Sequence, residues 1–180
     1  MGEPLAIMLD ANLADILLED DILRNGLRDL VEIGAARVFV THIAIDEVMR
    51  TPDREKRDRM VHALFWIGAR TIPTSAFVLG RSRYDLAALG TDGGTVVSNF
   101  CEGNSHLTND ALIAATASEY KVPLATAERR RGRFSRHLPE LEVLSVEQLR
   151  AAVNSRLVEE GRLDATQLPV VQSIQDALRP

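Results

Sequence analysis

The chain has little of several features that define whole classes of protein. It contains a single cysteine, Cys101, so it cannot form an intramolecular disulfide, and we expect it in the reducing cytoplasm. No apolar run reaches the roughly 18 residues that a membrane span needs. The first residues also lack the charged segment and apolar core of a secretory signal. We therefore expect neither a membrane partner nor secretion.

Familiar ligand motifs are also missing. No GxGxxG follows the first apolar segment, which counts against a dinucleotide site, and the glycine-rich residues 90–94 lack the spacing and the lysine of a P-loop. The four histidines do not have the spacing of zinc ligands. The net charge of −5 argues against an indiscriminate nucleic-acid binder, which is usually basic. It does not exclude a nuclease, because acids in a metal site are neutralised by the metal.

What the chain does contain is an alternation of short apolar segments and helical patterns over 180 residues. Residues 5–9 are continuously apolar, which predicts a strand covered on both faces. Further strands are predicted at 37–40, 71–72, 122–126 and 141–145. Helices are predicted at 15–33, 41–49, 54–69, 108–120 and 145–160. Such alternation predicts an α/β fold with a parallel sheet of about five strands and helices on both faces.

The rest of the pattern is less regular. Residues 81–89 are expected to form a helical turn or two, and the β-branched segment at 95–100 is expected to be an edge strand. One more short helix is expected at 170–178. Because domains commonly run about 100–200 residues, we assign residues 1–147 to the main domain. Residues 148–180 are then a helical extension packed on or beside it.

Four acidic residues stand at strand ends or within helices of this pattern, in the segments AIMLDANL, VTHIAIDEV, HLTNDALIAATA and PLATAE. They are Asp10, Glu47, Asp110 and Glu128. Ligand sites in parallel sheets lie at the carboxyl ends of the strands, where Asp10 and Glu128 are predicted. A carboxylate near a buried segment costs several kcal/mol to desolvate unless a partner or a metal compensates. The pattern therefore predicts a shared site.

These four segments, in this order, resemble those of the PIN-domain family, which includes the VapC-type toxin ribonucleases. The resemblance spans about residues 5 to 128. It implies a three-layer α/β/α fold, with Asp10, Glu47 and Asp110 as metal ligands and catalytic residues and Glu128 as a fourth catalytic acid. It also implies that Asn12 and Thr126 support the site. The chain departs from the family in having Glu rather than Asp at position 128, and in extra sequence before Asp110 and at its C-terminus.

Each acid also has an ordinary explanation. Asp10 is a suitable cap for the helix that follows it, and Asp110 in a first helical turn favours the helix dipole. Glu47 is equally explained as a surface acid paired with Arg50, and the family resemblance is what favours it over Asp46. Glu128 is equally explained as a solvated acid that opens a polar helix.

The expected chemistry follows from the donor atoms. Several carboxylates with few neutral donors favour Mg²⁺ or Mn²⁺, because hard cations prefer oxygen ligands. Such ions activate water and stabilise the charge of a phosphodiester transition state. We therefore expect a metal-dependent endoribonuclease, and the resemblance to toxins implies an antitoxin partner and a homodimer. The alternative is a PIN-like protein that binds RNA or a partner and cleaves poorly. An aspartyl phosphatase is disfavoured because Ala11 and Asn12, rather than a second Asp, follow Asp10.

Two basic clusters flank the acids. The segment RRRGRFSRH after Glu128 has little compensating acid, which makes it a candidate for phosphate contact. From it we select Arg129, Arg130 and Arg131 as RNA-binding residues. The basic residues at 50–59 are mixed with acids, which is typical of a solvated helix face.

Overall fold

The computed structural model describes residues 2–83, 85–87, 93–129 and 131–164. The strands are β1 Leu5–Leu9, β2 Ala36–Thr41, β3 Arg70–Ile72, β4 Leu124–Ala125 and β5 Val143–Leu144. The helices are α1 Leu13–Glu19, α2 Asp21–Glu32, α3 His42–Val48, α4 Arg54–Trp66, α5 Gly93–Cys101, α6 Thr108–Glu119, α7 Gly132–His137 and α8 Val146–Glu159. None of the described helices is both long and apolar enough to cross a membrane.

The strands form one parallel sheet in the order β3-β2-β1-β4-β5. Helices flank this sheet in a three-layer α/β/α arrangement, so the predicted fold class is confirmed. Strand β1 lies at the centre, with β2 on one side and β4 on the other. The chain therefore changes direction across the sheet between β1 and β4. In parallel sheets such a switch point opens a crevice at the carboxyl ends of the strands.

The core is formed by segments that the pattern of apolar residues predicted to be buried. Ile7, Met8 and Leu9 of β1 are all completely buried, as expected for a strand covered on both faces. Helix α6 is almost entirely enclosed, since residues 111–117 are all buried. Its N-terminal turn emerges from the core at the carboxyl-end edge of the sheet. This arrangement brings the acid of that turn to the same edge as the residue after β1.

The helix predicted at 15–33 is two helices that meet at Asp20. Asp20 has the non-helical angles φ −107° and ψ 83°, and its Oδ1 accepts a bond of 2.9 Å from the backbone N–H of Leu23. Its Oδ2 accepts a bond of 2.5 Å from Nε of Arg150, on α8. The apolar spacing continues across the break because both helices bury leucines. The spacing of apolar residues therefore does not reveal the break, which depends on a cap whose carboxylate is bonded to an arginine far away in the chain.

One expectation for the middle of the chain is wrong, and a second falls only partly within the described residues. Residues 95–100 are part of helix α5 rather than an edge strand, and Val97 and Phe100 bury the same face at i and i+3. The β-branched valines favoured a strand locally, but packing on α6 decides the outcome. Within 81–89, the described residues form turns and a single bridge between Ala87 and Thr74, and the remainder lies outside the described residues.

The C-terminal part of the described chain is helix α8. Ser145 caps it in a capping box, in which Gln148 returns a bond to the Ser145 backbone. Helix α8 packs on α2, where a Cβ on Gly26 would lie 3.0 Å from Val153 Cγ1. The proposed boundary at 147/148 falls in the first turn of α8 and stays a prediction. The short helix expected at 170–178 lies outside the described residues.

Substitution of Asp20, which caps α2 and bonds Arg150 of α8, tests the contact between these two helices. We expect Asp20→Ala to lower the free energy of unfolding by about 2–4 kcal/mol, because it removes a helix cap and leaves the arginine of a buried ion pair without its partner. The matched control is Asp21→Ala, because Asp21 is also paired with an arginine but its side chain is 72% exposed. We expect it to cost less than about 1 kcal/mol. Equal losses in urea denaturation would contradict this account of the helix break.

Candidate active site

Asp10 lies at the carboxyl end of β1, where the pairing with β4 places it. Its backbone N–H donates to the carbonyl of Ala125 at 3.0 Å, and only 7% of the residue is exposed. Oδ1 accepts a bond of 2.8 Å from the N–H of Ala11, and Oδ2 accepts bonds from Thr126 Oγ1 at 2.7 Å and Asn12 Nδ2 at 3.0 Å. These partners differ from those of a helix cap, which bonds the second or third helical N–H. The side chain is instead oriented toward β4.

Asn12 and Thr126 tie the ends of β1 and β4 together around this carboxylate. Asn12 Nδ2 also donates to Thr126 Oγ1 at 3.1 Å, and Asn12 Oδ1 accepts from the N–H of Ala127 at 2.9 Å. Thr126 Oγ1 in turn accepts from the N–H of Glu128 at 3.0 Å. The two residues that the family resemblance named as supporting therefore make direct contacts that fix Asp10 and the backbone of Glu128.

Glu47 and Asp110 come from two helices that pack against each other, α3 and α6. Thr41 caps α3 by accepting a bond from the N–H of Ala44. Glu47 Oε2 accepts a bond of 3.4 Å from Asn109 Nδ2, next to Asp110 in the first turn of α6. Asp46 points elsewhere and forms an ion pair with Arg83. Glu47, rather than Asp46, therefore faces the N-terminus of α6.

The pKa shifts show that these carboxylates lie in one electrostatic field. Burial raises the pKa of Asp10, despite the hydrogen bonds from Thr126 and Ala11. Burial, and then the charge of Asp10, raise the pKa of Glu47. Burial raises the pKa of Asp110 to about 6, with further contributions from the charges of Asp10, Glu47 and Glu128 and an opposing one from Arg133. The fold thus brings all four predicted acids to one edge of the sheet.

Arg133 is the site residue that the sequence analysis missed. Its Nη2 donates to Asp110 Oδ2 at 2.5 Å and lies 3.4 Å from Glu128 Oε2. The residue lies on α7, within the basic run. The available signal was the lone apolar residue of that run, Phe134, which is 1% exposed and anchors α7 against Phe100 with ring centroids 5.6 Å apart. A buried anchor fixes which neighbouring arginine faces inward.

Two of the three arginines that we selected from sequence are among the described residues. Arg129 is exposed, and Arg131 donates to Gln148 Oε1 at 3.1 Å, near the start of α8. Arg130 lies outside the described residues. A role for these residues in RNA binding stays a prediction. The mixed cluster at 50–59 forms ion pairs on α4, such as Arg54 with Asp58, as expected for a solvated face.

The acids share a field but are not arranged as a ready-made metal cluster. Within residues 2–83, 85–87, 93–129 and 131–164, no group of three or more Asp, Glu, His or Cys side chains is placed to hold a metal ion. The contact between Arg133 and Asp110 gives a physical reason, because the guanidinium lies where a cation would neutralise these acids. The oxygen donors themselves are of the kind that hard cations prefer.

The raised pKa of Asp110 predicts how the metal-free protein responds to pH. An acid with a pKa of about 6 when folded and about 3.9 when unfolded binds its proton more tightly in the folded state. Its contribution to stability is therefore complete below about pH 3.9 and is lost as the pH rises through about 6. The free energy of unfolding should therefore fall with rising pH in the wild-type protein. We expect this fall to be about 1–2 kcal/mol smaller in Asp110→Asn, after allowance for solvent screening. Urea denaturation in EDTA from pH 4.5 to 7.5 measures it, and identical pH profiles for both proteins would contradict it.

Comparison with known proteins places the fold. Neither a family model nor a curated protein sequence matches the chain. The chain is similar to a solved structure of VapBC2 from Rickettsia felis, which was determined with a bound DNA fragment from the VapBC2 promoter. The match has a TM-score of 0.50 and 17% identity, over 78% of this chain and 98% of the other. FitAcB from Neisseria gonorrhoeae matches with a TM-score of 0.39 and 16% identity, over 77% and 96% of the two chains.

The fold assignment rests on the first of these matches. At 17% identity this match shows the fold alone, which is that of the PIN-domain toxin of a toxin–antitoxin complex. The matched VapBC2 chain is covered almost from end to end, so the likeness extends over a whole domain. The five-stranded parallel sheet and the flanking helices agree with it. The chain therefore has the PIN-domain fold that its four acidic segments predicted.

Proposed function

We propose that this protein is a metal-dependent endoribonuclease that hydrolyses RNA phosphodiesters. The observation that carries the proposal is the mutual repulsion of its acids. Asp10 raises the pKa of both Glu47 and Asp110, and Glu128 adds to the shift at Asp110. Gathering like charges at the switch point of the sheet costs stability unless a cation compensates. Divalent cations supply that compensation in nucleases.

The donor set suits Mg²⁺ or Mn²⁺. Asp10, Glu47 and Asp110 offer carboxylate oxygens from three different elements, and Mg²⁺ retains several waters, so not every acid has to contact it. When bound, the ion supplies an activated water and positive charge next to the phosphodiester. The nearby protein groups set the geometry. Asn12 and Thr126 hold the Asp10 carboxylate at 3.0 and 2.7 Å.

Glu128 is the fourth acid of the set, and its side chain places the carboxylate farther from the backbone than an Asp side chain would. The bond from its N–H to Thr126 fixes its main chain, and its carboxylate lies near Arg133. Glu is one methylene longer than the Asp that the family has here. We propose that Glu128 acts through a water, because a water absorbs that extra length more readily than a direct ligand bond.

The proposed partners follow from the surroundings of the site and from the structural neighbours. We place an RNA phosphate backbone along the arginine run, with Arg129, Arg130 and Arg131 as contacts. The neighbours are complexes of toxins with antitoxins. By analogy, we propose that this protein is the toxin of such a pair, working as a homodimer in the cytoplasm. The buried free thiol of Cys101 fits that compartment.

A second candidate function is a PIN-like module that binds RNA or a protein and cleaves poorly. It is favoured by the contact of Arg133 with Asp110 and by the lack of a preformed metal cluster in the described part of the chain. The two functions differ in whether Mn²⁺ binds at the acids and whether RNA is then cut.

Metal binding is tested by thermal stability. We expect Mn²⁺ at 100 times its Kd to stabilise the wild-type protein by about 2.7 kcal/mol, because the ion binds the folded state. Asp10→Asn combined with Asp110→Asn removes this effect and leaves or raises the stability without metal, because a repulsion is relieved. The control is Asp46→Asn, which lies one residue from Glu47 but faces Arg83. Equal upshifts in the melting temperature of all three proteins would exclude the shared site.

Cleavage distinguishes the enzyme from the binding module. We expect the wild-type protein with Mn²⁺ to cut single-stranded RNA, and Asp110→Asn to reduce the rate at least about 100-fold, because a direct ligand is lost. We expect Glu128→Gln to slow cleavage less, by about tenfold to 100-fold, because it changes only a group that positions water.

Gel analysis of a broad RNA panel measures both rates. If Glu128→Gln is silent while Asp110→Asn is inactive, Glu128 is a surface acid. If the wild-type protein binds the panel with Mn²⁺ present and leaves every RNA intact, the nuclease proposal fails and the binding module replaces it.

A further inference from the structure

Arg133 lies among the acidic residues of the site and contacts two of them. Its guanidinium contacts Asp110 at 2.5 Å and approaches Glu128 at 3.4 Å, and its charge also acts on Asp10. It is the group that offsets part of the repulsion among these carboxylates. The protein therefore supplies its own cation at the point where the proposed function requires a divalent ion.

The Arg133 contact and a divalent ion are in competition. Asp110 Oδ2 accepts the short bond from Nη2, which is the kind of charge-assisted bond that occupies a lone pair of the carboxylate. A divalent ion at Asp110 would compete with the guanidinium for the charge of this carboxylate, and it would repel the guanidinium at such short range. Binding of the ion thus requires Arg133 to move or to give up its bond.

Arg133 is held in a way that permits this movement. Its side chain is 25% exposed, so a path to solvent is open. Its second acidic contact is long, at 3.4 Å, and its guanidinium also lies 5.2 Å from the ring centroid of Phe134, so the bond to Asp110 is its one short contact with an acid among the described residues. Its Nε is buried and has no hydrogen-bond partner among the described residues. The guanidinium therefore has a donor left over for another acceptor.

We propose that Arg133 is an exchangeable counter-cation: it holds Asp110 when no metal is bound, and a divalent ion displaces it onto a phosphate of the RNA. This inference rests on the proposed function and adds a residue to it. Arginine suits the second half of the exchange, because its planar fork bonds phosphate oxygens in pairs. One side chain thus neutralises the empty site and contacts RNA at the occupied one.

The first half of the exchange is tested by Mn²⁺ affinity. We expect Arg133→Gln to bind Mn²⁺ about threefold to tenfold more tightly than the wild-type protein in calorimetry at pH 8, because a competing ion pair is gone. The matched control is Arg136→Gln, which removes an exposed arginine from the same helix and leaves the affinity unchanged. A role of Arg133 in folding alone predicts no gain in affinity.

The second half is tested by the salt dependence of RNA binding, with a fluorescent single-stranded RNA and Ca²⁺ or EDTA. With saturating Ca²⁺, we expect Arg133→Gln to weaken binding and to lower the slope of log K against log salt by about 0.7, since one phosphate contact is lost. In EDTA we expect wild type and Arg133→Gln to have the same slope, because Asp110 retains the arginine. For Arg136→Gln we expect the salt slopes in Ca²⁺ and in EDTA to differ by as much as they do for the wild-type protein.

The outcomes separate this inference from the function on which it rests. If wild type and Arg133→Gln bind Mn²⁺ equally tightly at the acids, or if the RNA slope changes equally in Ca²⁺ and EDTA, the exchange is overturned while the metal site stands. If neither protein binds Mn²⁺, the metal site and the exchange fall together. Tighter Mn²⁺ binding combined with weaker, Ca²⁺-dependent RNA contact establishes the exchange.

Discussion

The structure depends on keeping negative charges together at the carboxyl ends of β1 and β4. Asp10 is the most buried of these charges, and its three hydrogen-bond partners belong to the two strand ends that the sheet brings side by side. The switch point of the sheet thus fixes the carboxylate, and the carboxylate in turn joins the strand ends. Burial, and then the charge of Asp10, raise the pKa values of Glu47 and Asp110. Perturbed pKa values of this kind cluster at functional sites.

The same reasoning explains which parts of the site were predictable from sequence. Asp10 and Asp110 were found because each adjoins a buried apolar segment, and burial on β1 and α6 follows directly from local sequence. Asn12 and Thr126 were named only through the family resemblance, since their contacts join residues that are 114 apart in the chain. Sheet pairing creates these contacts, and no local pattern encodes them.

The errors have physical causes of the same kind. The valines of α5 favour a strand in isolation, but Val97 and Phe100 bury one face of a helix against α6. Asp20 ends α1 because its carboxylate bonds both Leu23 and the distant Arg150. Arg133 was one of several arginines in a basic run, and the burial of Phe134 is what turns it toward the acids. In each case a tertiary contact decided between local alternatives.

The location of a bound Mn²⁺ ion tests the account most directly. Anomalous diffraction from crystals soaked in Mn²⁺ gives its position independently of activity. The account predicts a peak about 2–2.5 Å from carboxylate oxygens of Asp10 and Asp110, with Glu47 turned toward it and the bond between Arg133 and Asp110 broken. A peak at any other place, or no peak while Arg133 stays on Asp110, would contradict it.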